Sequence, residues 1–266
     1  MNRDEINHAI EYSLVGMFEQ VDGMMNVYKN EVTHAIQFPE IDNWEFNRAG
    51  MTRLSEKTAN NTIKEVLNFY QKQGSTSISW VIGPLTTPAN FSEYLKRNQF
   101  EYKEAAWGMH LPVEADLKVH NLEGIEIREC GIKDLEKEDV QDMIEKAYGM
   151  PPGAGKLLAR FTELYQKKTK VAVYIGYNGE QPVAFGNILV IPSTKVALLG
   201  GAATLPEYRG KGVYSNMLKI RMDKAKEFGM EELVIQAKEK TSAPIAKKHG
   251  FEKVSTLNFY MYNPNN

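Results

Sequence analysis

The chain of 266 residues is long enough for one large domain or two modest ones. Its 42% hydrophobic and 25% charged residues are typical of a soluble globular protein, and its net charge of −2 argues against a nucleic-acid-binding protein. A single cysteine, Cys130, excludes an intramolecular disulfide and suits a reducing compartment. The sequence shows neither the apolar core of a signal peptide nor an apolar run of membrane-spanning length. We therefore expect a cytoplasmic protein that binds neither nucleic acid nor a membrane.

Helical and strand patterns alternate through the first 115 residues. Apolar residues recur at helical spacing over residues 4–21, which predicts an amphipathic helix, and short strand-like pieces follow in residues 24–54. A second helix is predicted over residues 56–72. A β-rich run, SISWVIGP, a helix over residues 88–100 and a strand, EYKEAAWGMHLPV, complete this part of the chain.

This last block of strand, helix and strand occurs again near the other end of the chain. The segment LVIQAKEKTSAPIAKKHGFEKV, at residues 233–254, has the same order, and KRNQFE aligns there with KKHGFE. Internal similarity at a separation of about 150 residues indicates duplicated domains rather than a solenoid. Because the intervening PVEADLKVHNLEG is polar and patternless, we predict a domain over residues 1–115, a linker over 116–124 and a second domain over 125–266.

The second half has a clear order of predicted elements. Asn178-Gly179 between two apolar runs predicts a β-hairpin. The other predicted elements are a strand at 125–130, helices at 134–148 and 156–167, a strand beginning at Val196, a helix at 213–228, the repeated block, and a last strand at 255–262.

One stretch of this half, VALLGGAATLPEYRGKGVYSNM, combines a buried strand, a glycine turn and a helix start. Such an arrangement can hold a phosphate, because glycines let the backbone approach closely and the N–H groups of a helix N-terminus carry partial positive charge. The Rossmann fingerprint fails, since Ser215 stands where the third glycine should be, and the Walker pattern fails, since Gly212 follows Lys211.

The turn resembles the acyl-CoA-binding motif of the GCN5-related N-acetyltransferases (GNAT), Arg/Gln-x-x-Gly-x-Gly/Ala. Here it reads RGKGVY, from Arg209 to Tyr214, and it departs from the motif at Tyr214. The predicted element order over residues 125–262 is also that of a GNAT domain. The resemblance implies an α/β (α+β) fold, with a mixed, mostly antiparallel sheet flanked by helices, and a tandem pair of GNAT-like domains. Residues 1–115 contain no comparable turn, so we expect that degenerate domain not to bind CoA.

The resemblance further implies acetyl-CoA as co-substrate. Because the sequence has no zinc spacing, no H-E-x-x-H and no nucleophile elbow, we expect no metal. Backbone N–H groups of the turn would hold the pyrophosphate, basic side chains would add charge, and the edge of the central strand would hold the pantetheine and the thioester carbonyl. The implied residues are Ala202, Ala203, Thr204, Leu205, Arg209, Gly210, Lys211, Gly212, Val213, Tyr214, Ser215 and Ser242. Structural alternatives remain open: Lys211 as a solvated lysine, the glycines before Ala202 as a site of tight packing, and Ser242 as a helix cap.

No catalytic residue is predicted. Many GNAT enzymes carry a glutamate on the central strand and a tyrosine in the last helix, whereas Val196–Thr204 holds no acid and Ala246 takes the place of the tyrosine. Cys130 is interpreted as a structural cysteine. The possible substitutes, each of which also has a structural interpretation, are Tyr214, His249, Tyr260 and Tyr262.

With the resemblance, these residues predict an acetyl-CoA-dependent N-acetyltransferase that acts by direct transfer on the amine of a small molecule. One alternative is a non-catalytic acyl-CoA-binding or regulatory module, which the missing glutamate and tyrosine and the departure at Tyr214 favour. The other is a protein lysine or N-terminal acetyltransferase. The sequence contains no recognisable code for the acceptor or for the oligomeric state.

Overall fold

A computed structural model describes residues 1–119 and 121–263. The helices are α1 (Arg3–Glu11), α2 (Glu56–Lys72), α3 (Phe91–Arg97), α4 (Ile132–Leu135), α5 (Glu138–Tyr148), α6 (Ala154–Gln166), α7 (Val213–Glu227) and α8 (Ser242–Lys248). The strands are β1 (Asn26–Lys29), β2 (His34–Gln37), β3 (Arg48–Gly50), β4 (Ser79–Ile82), β5 (Phe100–Pro112), β6 (Ile125–Cys130), β7 (Val171–Asn178), β8 (Gln181–Val190), β9 (Val196–Thr204), β10 (Glu232–Lys238) and β11 (Glu252–Tyr262). The block of strand, helix and strand occurs twice, as β4-α3-β5 and as β10-α8-β11, in agreement with the internal similarity.

Three predicted helices differ from the structure, and one of them is the helix predicted over 88–100, which is only α3 because Phe100 begins β5. The first helix of the chain ends its α-helical part at Glu11 and continues as a π-helical turn over Tyr12–Gly16, so it is shorter than the predicted 4–21. The predicted helix over 134–148 is divided into α4 and α5, because Lys137 has an extended backbone and caps α5. The carboxylate of Asp134 accepts the Gly131 N–H at 3.1 Å and thereby fixes the start of α4.

The described residues form two compact units that do not follow chain order. The unit that we call central contains His110–Ile235 and Lys248–Phe251, and the unit that we call N-terminal contains Asn2–Met109, Gln236–Lys247 and residues 252–263. The boundaries proposed from the sequence, with a linker at 116–124, stay a prediction. The structure adds that α8 and β11 pack with the N-terminal unit although they come last in the sequence.

The strands of the central unit are arranged in the order β10-β9-β8-β7-β6. β7 and β8 form the predicted antiparallel hairpin around Asn178-Gly179, where Gly179 has a φ of +59°. β9 continues the antiparallel pairing with β8 and pairs in parallel with β10. A core of apolar side chains from α5, β7 and β8 fills one side of these strands, among them Ile144, Ile175 and Phe185.

The strands of the N-terminal unit are arranged in the order β1-β2-β3-β4-β11-β5. β3 and β4 are parallel and are joined through α2, whereas β4 and β11 are antiparallel, with Val81 opposite Phe259. The core of this unit surrounds Trp80, which is fully buried and donates from Nε1 to the hydroxyl of Thr52 at 2.8 Å. Each unit thus contains antiparallel pairs of strands and a parallel pair that a helix connects.

Candidate functional site

β9 loses one of its two neighbouring strands part of the way along its length. Its parallel pairing with β10 runs only from Val196 to Leu198, opposite Glu232 to Val234. Its antiparallel pairing with β8 continues to Thr204, opposite Ala184. From Leu199 onward, the described part of the chain provides no strand partner on the β10 side, and we call this stretch the open edge of β9. The predicted site residues Ala202, Ala203 and Thr204 all lie on it, and all are half-buried.

A β-bulge marks the place where β9 changes its pairing. The register of β8 and β9 shifts between Asn187 and Leu189. Arg221 of α7, whose exposed fraction is only 1%, donates from Nη1 to the carbonyl oxygens of Asn187 and Gly201 at 3.2 and 3.1 Å. Its Nε donates to the carbonyl of Met217 at 3.1 Å. A buried guanidinium therefore holds together the two strands at the start of the open edge.

The glycine turn connects β9 to α7 as the sequence predicts. Leu205 is buried, a short 3-10 turn covers Pro206–Tyr208, and Gly210 and Gly212 have φ values of +75° and +80°, which glycine adopts without strain. Gly212 caps α7, and its carbonyl accepts the hydroxyl of Ser215 at 2.8 Å. Val213 and Ser215 are buried in the first turn of the helix.

The main-chain N–H groups of this turn are available for a ligand. Within residues 1–119 and 121–263, no group accepts a hydrogen bond from the N–H of any residue from Gly210 to Ser215. Free N–H groups at a helix N-terminus carry partial positive charge and are suited to an anion such as a phosphate. A side chain added at Gly210 would meet no atom within 4 Å, so the outside of the turn is open.

The two basic side chains of the turn differ in what they contact. Arg209 donates from Nε to the carbonyl oxygen of Thr204 at 2.9 Å and from Nη2 to that of Ala147 at 3.2 Å. Its guanidinium is therefore bonded to the main chain at the end of β9 and at the end of α5, in addition to any charge that it adds to the turn. Lys211 is exposed, with its Nζ 5.0 Å from the ring centroid of Tyr208.

The structure brings a residue to the open edge that the sequence did not indicate. Tyr148, the last residue of α5, packs its ring against Phe185, and its buried hydroxyl has no hydrogen-bond partner among the described residues. A Cβ at Gly201 would lie 2.2 Å from this hydroxyl, and one at Gly200 would lie 2.8 Å from Oδ1 of Asn187, which is likewise buried and unpartnered. The glycine pair in the sequence was the available signal, but it does not say which side chains approach it.

Burial shifts the pKa of Tyr148, of the neighbouring Tyr214 and of Arg221. Burial raises the pKa of Tyr148 well above its ordinary value, although the positive charge of Arg221 opposes this effect. Burial also raises the pKa of Tyr214, again against the influence of Arg221. The pKa of Arg221 is itself lowered by burial. Both phenols therefore stay protonated at neutral pH and can donate hydrogen bonds.

The remaining candidates for catalysis lie in structural surroundings. The ring of His249 lies 5.3 Å from that of Tyr214, so these two residues do meet in the central unit. Tyr260 belongs to the core of the N-terminal unit and packs against Tyr102. The partly buried Tyr262 packs against this core and against Phe100. Burial raises the pKa of Cys130, which opposes the thiolate that a nucleophilic cysteine needs.

Two further sequence predictions concern the N-terminal unit and metal sites. Ser242 is the first residue of α8, in the N-terminal unit, and its contact with a ligand stays a prediction. Ala246, in the same helix, is fully buried. Within the described residues, no three His, Cys, Asp or Glu side chains come together in a group that could hold a metal ion.

Comparison with known proteins finds a family model that matches part of the chain, mostly within the central unit. Residues 138–251 match the family model described as "Acetyltransferase (GNAT) family". This range contains the open edge of β9, the glycine turn and Tyr148. No curated protein is similar enough in sequence to match.

Solved structures with a similar fold cover nearly the whole chain. A GCN5-related N-acetyltransferase from Kribbella flavida is 11% identical, with a TM-score of 0.63 over 91% of each chain. A conserved protein of unknown function from Staphylococcus epidermidis is 13% identical, with a TM-score of 0.63 over 91% of this chain and 95% of that one. A tandem GNAT protein from the clavulanic acid biosynthesis pathway is 8% identical, with a TM-score of 0.61 over 98% of this chain and 89% of that one.

Because these structures are only 8% to 13% identical to the chain, their similarity shows the fold alone. The predicted fold class is confirmed: a mixed α/β structure with a large, mostly antiparallel sheet flanked by helices, similar to GNAT structures that include a tandem one. In the part of the chain that the structure describes, every helix is too short or too polar to cross a membrane.

Proposed function

We propose, from the GNAT acetyltransferase domain that residues 138–251 form, that the chain transfers an acetyl group from acetyl-CoA directly to the amine of a small molecule. One observation carries the proposal: the open edge of β9 leads directly into a glycine turn and then into the start of α7, where the main-chain N–H groups are free. A cytoplasmic location belongs to the same proposal and is supported by the single cysteine.

The residues of the turn fit a pyrophosphate. The N–H groups from Gly210 to Ser215 would donate to its oxygens, and the exposed Lys211 would add a positive charge. No acidic side chain stands between Leu205 and Asn216 other than Glu207, which is exposed. This part of the site is therefore suited to bind an anion.

The open edge of β9 fits the remainder of the co-substrate. Acetyl-CoA would supply the activated acyl group as a thioester, and the main chain of Ala202, Ala203 and Thr204 would hold the pantetheine by hydrogen bonds of the kind that a neighbouring strand makes. Because these residues have small side chains, a ligand can approach their backbone closely. The half-buried position of the edge would exclude part of the water from the acyl group.

Binding can be tested by isothermal titration of the protein with acetyl-CoA. Gly212→Glu places a negative side chain in the turn, and we expect it to abolish binding. Gly229→Glu is a matched control, because Gly229 has a φ of +77°, close to the +80° of Gly212, but lies beyond the other end of α7. Binding by the wild type and by Gly229→Glu, and not by Gly212→Glu, supports the site. If the wild type does not bind acetyl-CoA, the proposal is wrong.

A second candidate function is favoured by one observation, the lack of any carboxylate on β9. A domain without a general base could bind acyl-CoA as a regulatory module without transferring the acyl group. Release of the CoA thiol in the presence of a library of small amines separates the two functions. Release that depends on an amine supports the transferase. Binding of acetyl-CoA without release of the CoA thiol, whichever amine is added, supports the regulatory module.

A further inference from the structure

The strongest unexplained feature of the central unit is the hydroxyl of Tyr148. It is shielded from solvent and has no hydrogen-bond partner among the described residues. A buried donor without a partner costs about 1–3 kcal/mol, and natural structures rarely leave one unsatisfied unless a ligand or water completes it. Two other buried hydroxyls of the unit, those of Thr162 and Ser215, do find partners.

Its position links this hydroxyl to the open edge of β9. The hydroxyl lies over the backbone of Gly201, where a Cβ would come within 2.2 Å of it, and it can lie there only because position 201 has no side chain. Gly201 is followed directly by Ala202, the first of the residues proposed to hold the co-substrate. The ring is held in place by its edge-on packing against Phe185, which is fully buried.

One positive charge, that of Arg221, acts on the hydroxyl. Arg221 donates to the carbonyl of the same Gly201 at 3.1 Å, and no described carboxylate forms an ion pair with this buried guanidinium. A buried cation whose partners are neutral carbonyl oxygens stabilises negative charge nearby, because the interior screens it weakly. Since burial also keeps the phenol of Tyr148 protonated, the site offers a donor and a positive potential at one place on the strand.

We propose that the hydroxyl of Tyr148 donates a hydrogen bond to the carbonyl oxygen of the acyl thioester bound along the open edge of β9. This inference rests on the proposed function, since it needs the thioester to lie there. The bond would strengthen as negative charge develops on that oxygen during acyl transfer, which makes Tyr148 a catalytic residue. Arg221 acts as a positioning residue, because it contacts the backbone of the strand and not the acyl group.

The test compares the affinities for acetyl-CoA and for free CoA, since only acetyl-CoA has the carbonyl. We expect Tyr148→Phe to raise the Kd of acetyl-CoA about threefold to tenfold and to leave the Kd of CoA unchanged, as the loss of one hydrogen bond predicts. Tyr177→Phe, which removes a hydroxyl from β7 in the same unit, is the matched control and should change neither Kd. An unchanged ratio of the two Kd values in Tyr148→Phe would overturn the inference.

A second measurement needs no variant. With acetyl-CoA labelled with carbon-13 at the carbonyl, the infrared band of that carbonyl should move to lower frequency when the wild-type protein binds it. An unshifted band in the bound state contradicts the hydrogen bond even if Tyr148→Phe does not fold. Failure of the proposed co-substrate site gives a different result, since the wild type would then bind neither CoA nor acetyl-CoA. Failure of acyl transfer alone would appear as binding of acetyl-CoA without amine-dependent release of the CoA thiol.

Discussion

Nη2 of Arg209 lies 3.2 Å from the carbonyl oxygen of Ala147, the residue before Tyr148. Because Nε of the same guanidinium donates to the carbonyl of Thr204, one side chain joins the end of β9, the glycine turn and the last turn of α5. Arg209 belongs to the motif whose basic residue was expected to supply charge. The structure shows that it also fixes the distance between the turn and the helix end that carries Tyr148.

Arg209→Lys should weaken this connection without removing the charge. A single ammonium group cannot reproduce the fork of donors that serves two carbonyls, so we expect a loss of about 1 kcal/mol in the free energy of unfolding. Acetyl-CoA affinity should fall with it. Urea denaturation and calorimetric titration measure both effects. Lys211→Ala is the control, because this exposed side chain should affect binding and leave stability within about 0.5 kcal/mol of the wild type. Equal stabilities of Arg209→Lys and the wild type would contradict this role.

Gly201→Ala should destabilise the central unit because its new methyl group would meet the hydroxyl of Tyr148 at 2.2 Å. Overpacking of this kind costs about 1–3 kcal/mol. Adding Tyr148→Phe removes the oxygen and leaves the ring carbon Cζ, 3.2 Å away, as the nearest atom of that side chain, so the double variant should recover part of the loss. A double-mutant cycle in urea should therefore give a coupling of about 1 kcal/mol. Additive effects would show that the two residues do not compete for space.

Glu11→Ala should strongly destabilise the N-terminal unit. The exposed fraction of Glu11 is only 3%; its Oε2 pairs with Arg53 at 2.6 Å, and its Oε1 accepts the N–H of Leu85 at 2.8 Å. Truncation leaves both donors without their carboxylate, and we expect a loss of about 2–4 kcal/mol. Glu93→Ala removes an exposed carboxylate that lies 3.8 Å from Arg97 and should cost well under about 1 kcal/mol in the same denaturation experiment. Similar losses in the two variants would argue against this account of Glu11.

His34 should make the stability of the N-terminal unit depend on pH. Burial, and then the charge of Lys29, lowers the pKa of His34 below its ordinary value of 6.5. The unfolded chain therefore binds a proton more readily than the folded one, so this contribution to stability is complete above about pH 6.5 and is lost as the pH falls through the folded-state pKa. His34→Gln should flatten the difference in unfolding free energy between about pH 7.5 and about pH 5. An unchanged difference would exclude His34 as its source.

The sequence was most informative where the structure is set by neighbouring residues. The turn from Arg209 to Gly212, the hairpin at Asn178-Gly179 and the helix α7 all depend on glycine conformation and apolar periodicity, and all lie where they were predicted. Boundaries were less accurate where a local cap decides them, as at Lys137, where a predicted single helix is divided.

The contacts that complete the candidate site could not be predicted in this way. The approach of Tyr148 to Gly201 and the bond from Arg209 to Ala147 join residues that are far apart in the sequence, and their meeting depends on how α5 packs on the strands. The glycine pair at 200–201 indicated a close approach but not its partner. Nor does any periodicity say that β11 belongs with the N-terminal unit.

The place of β11 has a consequence for how the chain is made. In the N-terminal unit this strand lies between β4 and β5, two strands that the ribosome produces long before it. The edges of β4 and β5 that face β11 therefore lack a partner until the chain has been synthesised beyond Glu252. Such edges promote association with other chains. During synthesis, the N-terminal unit should therefore depend on a chaperone, or on rapid completion of the chain, more than the central unit does.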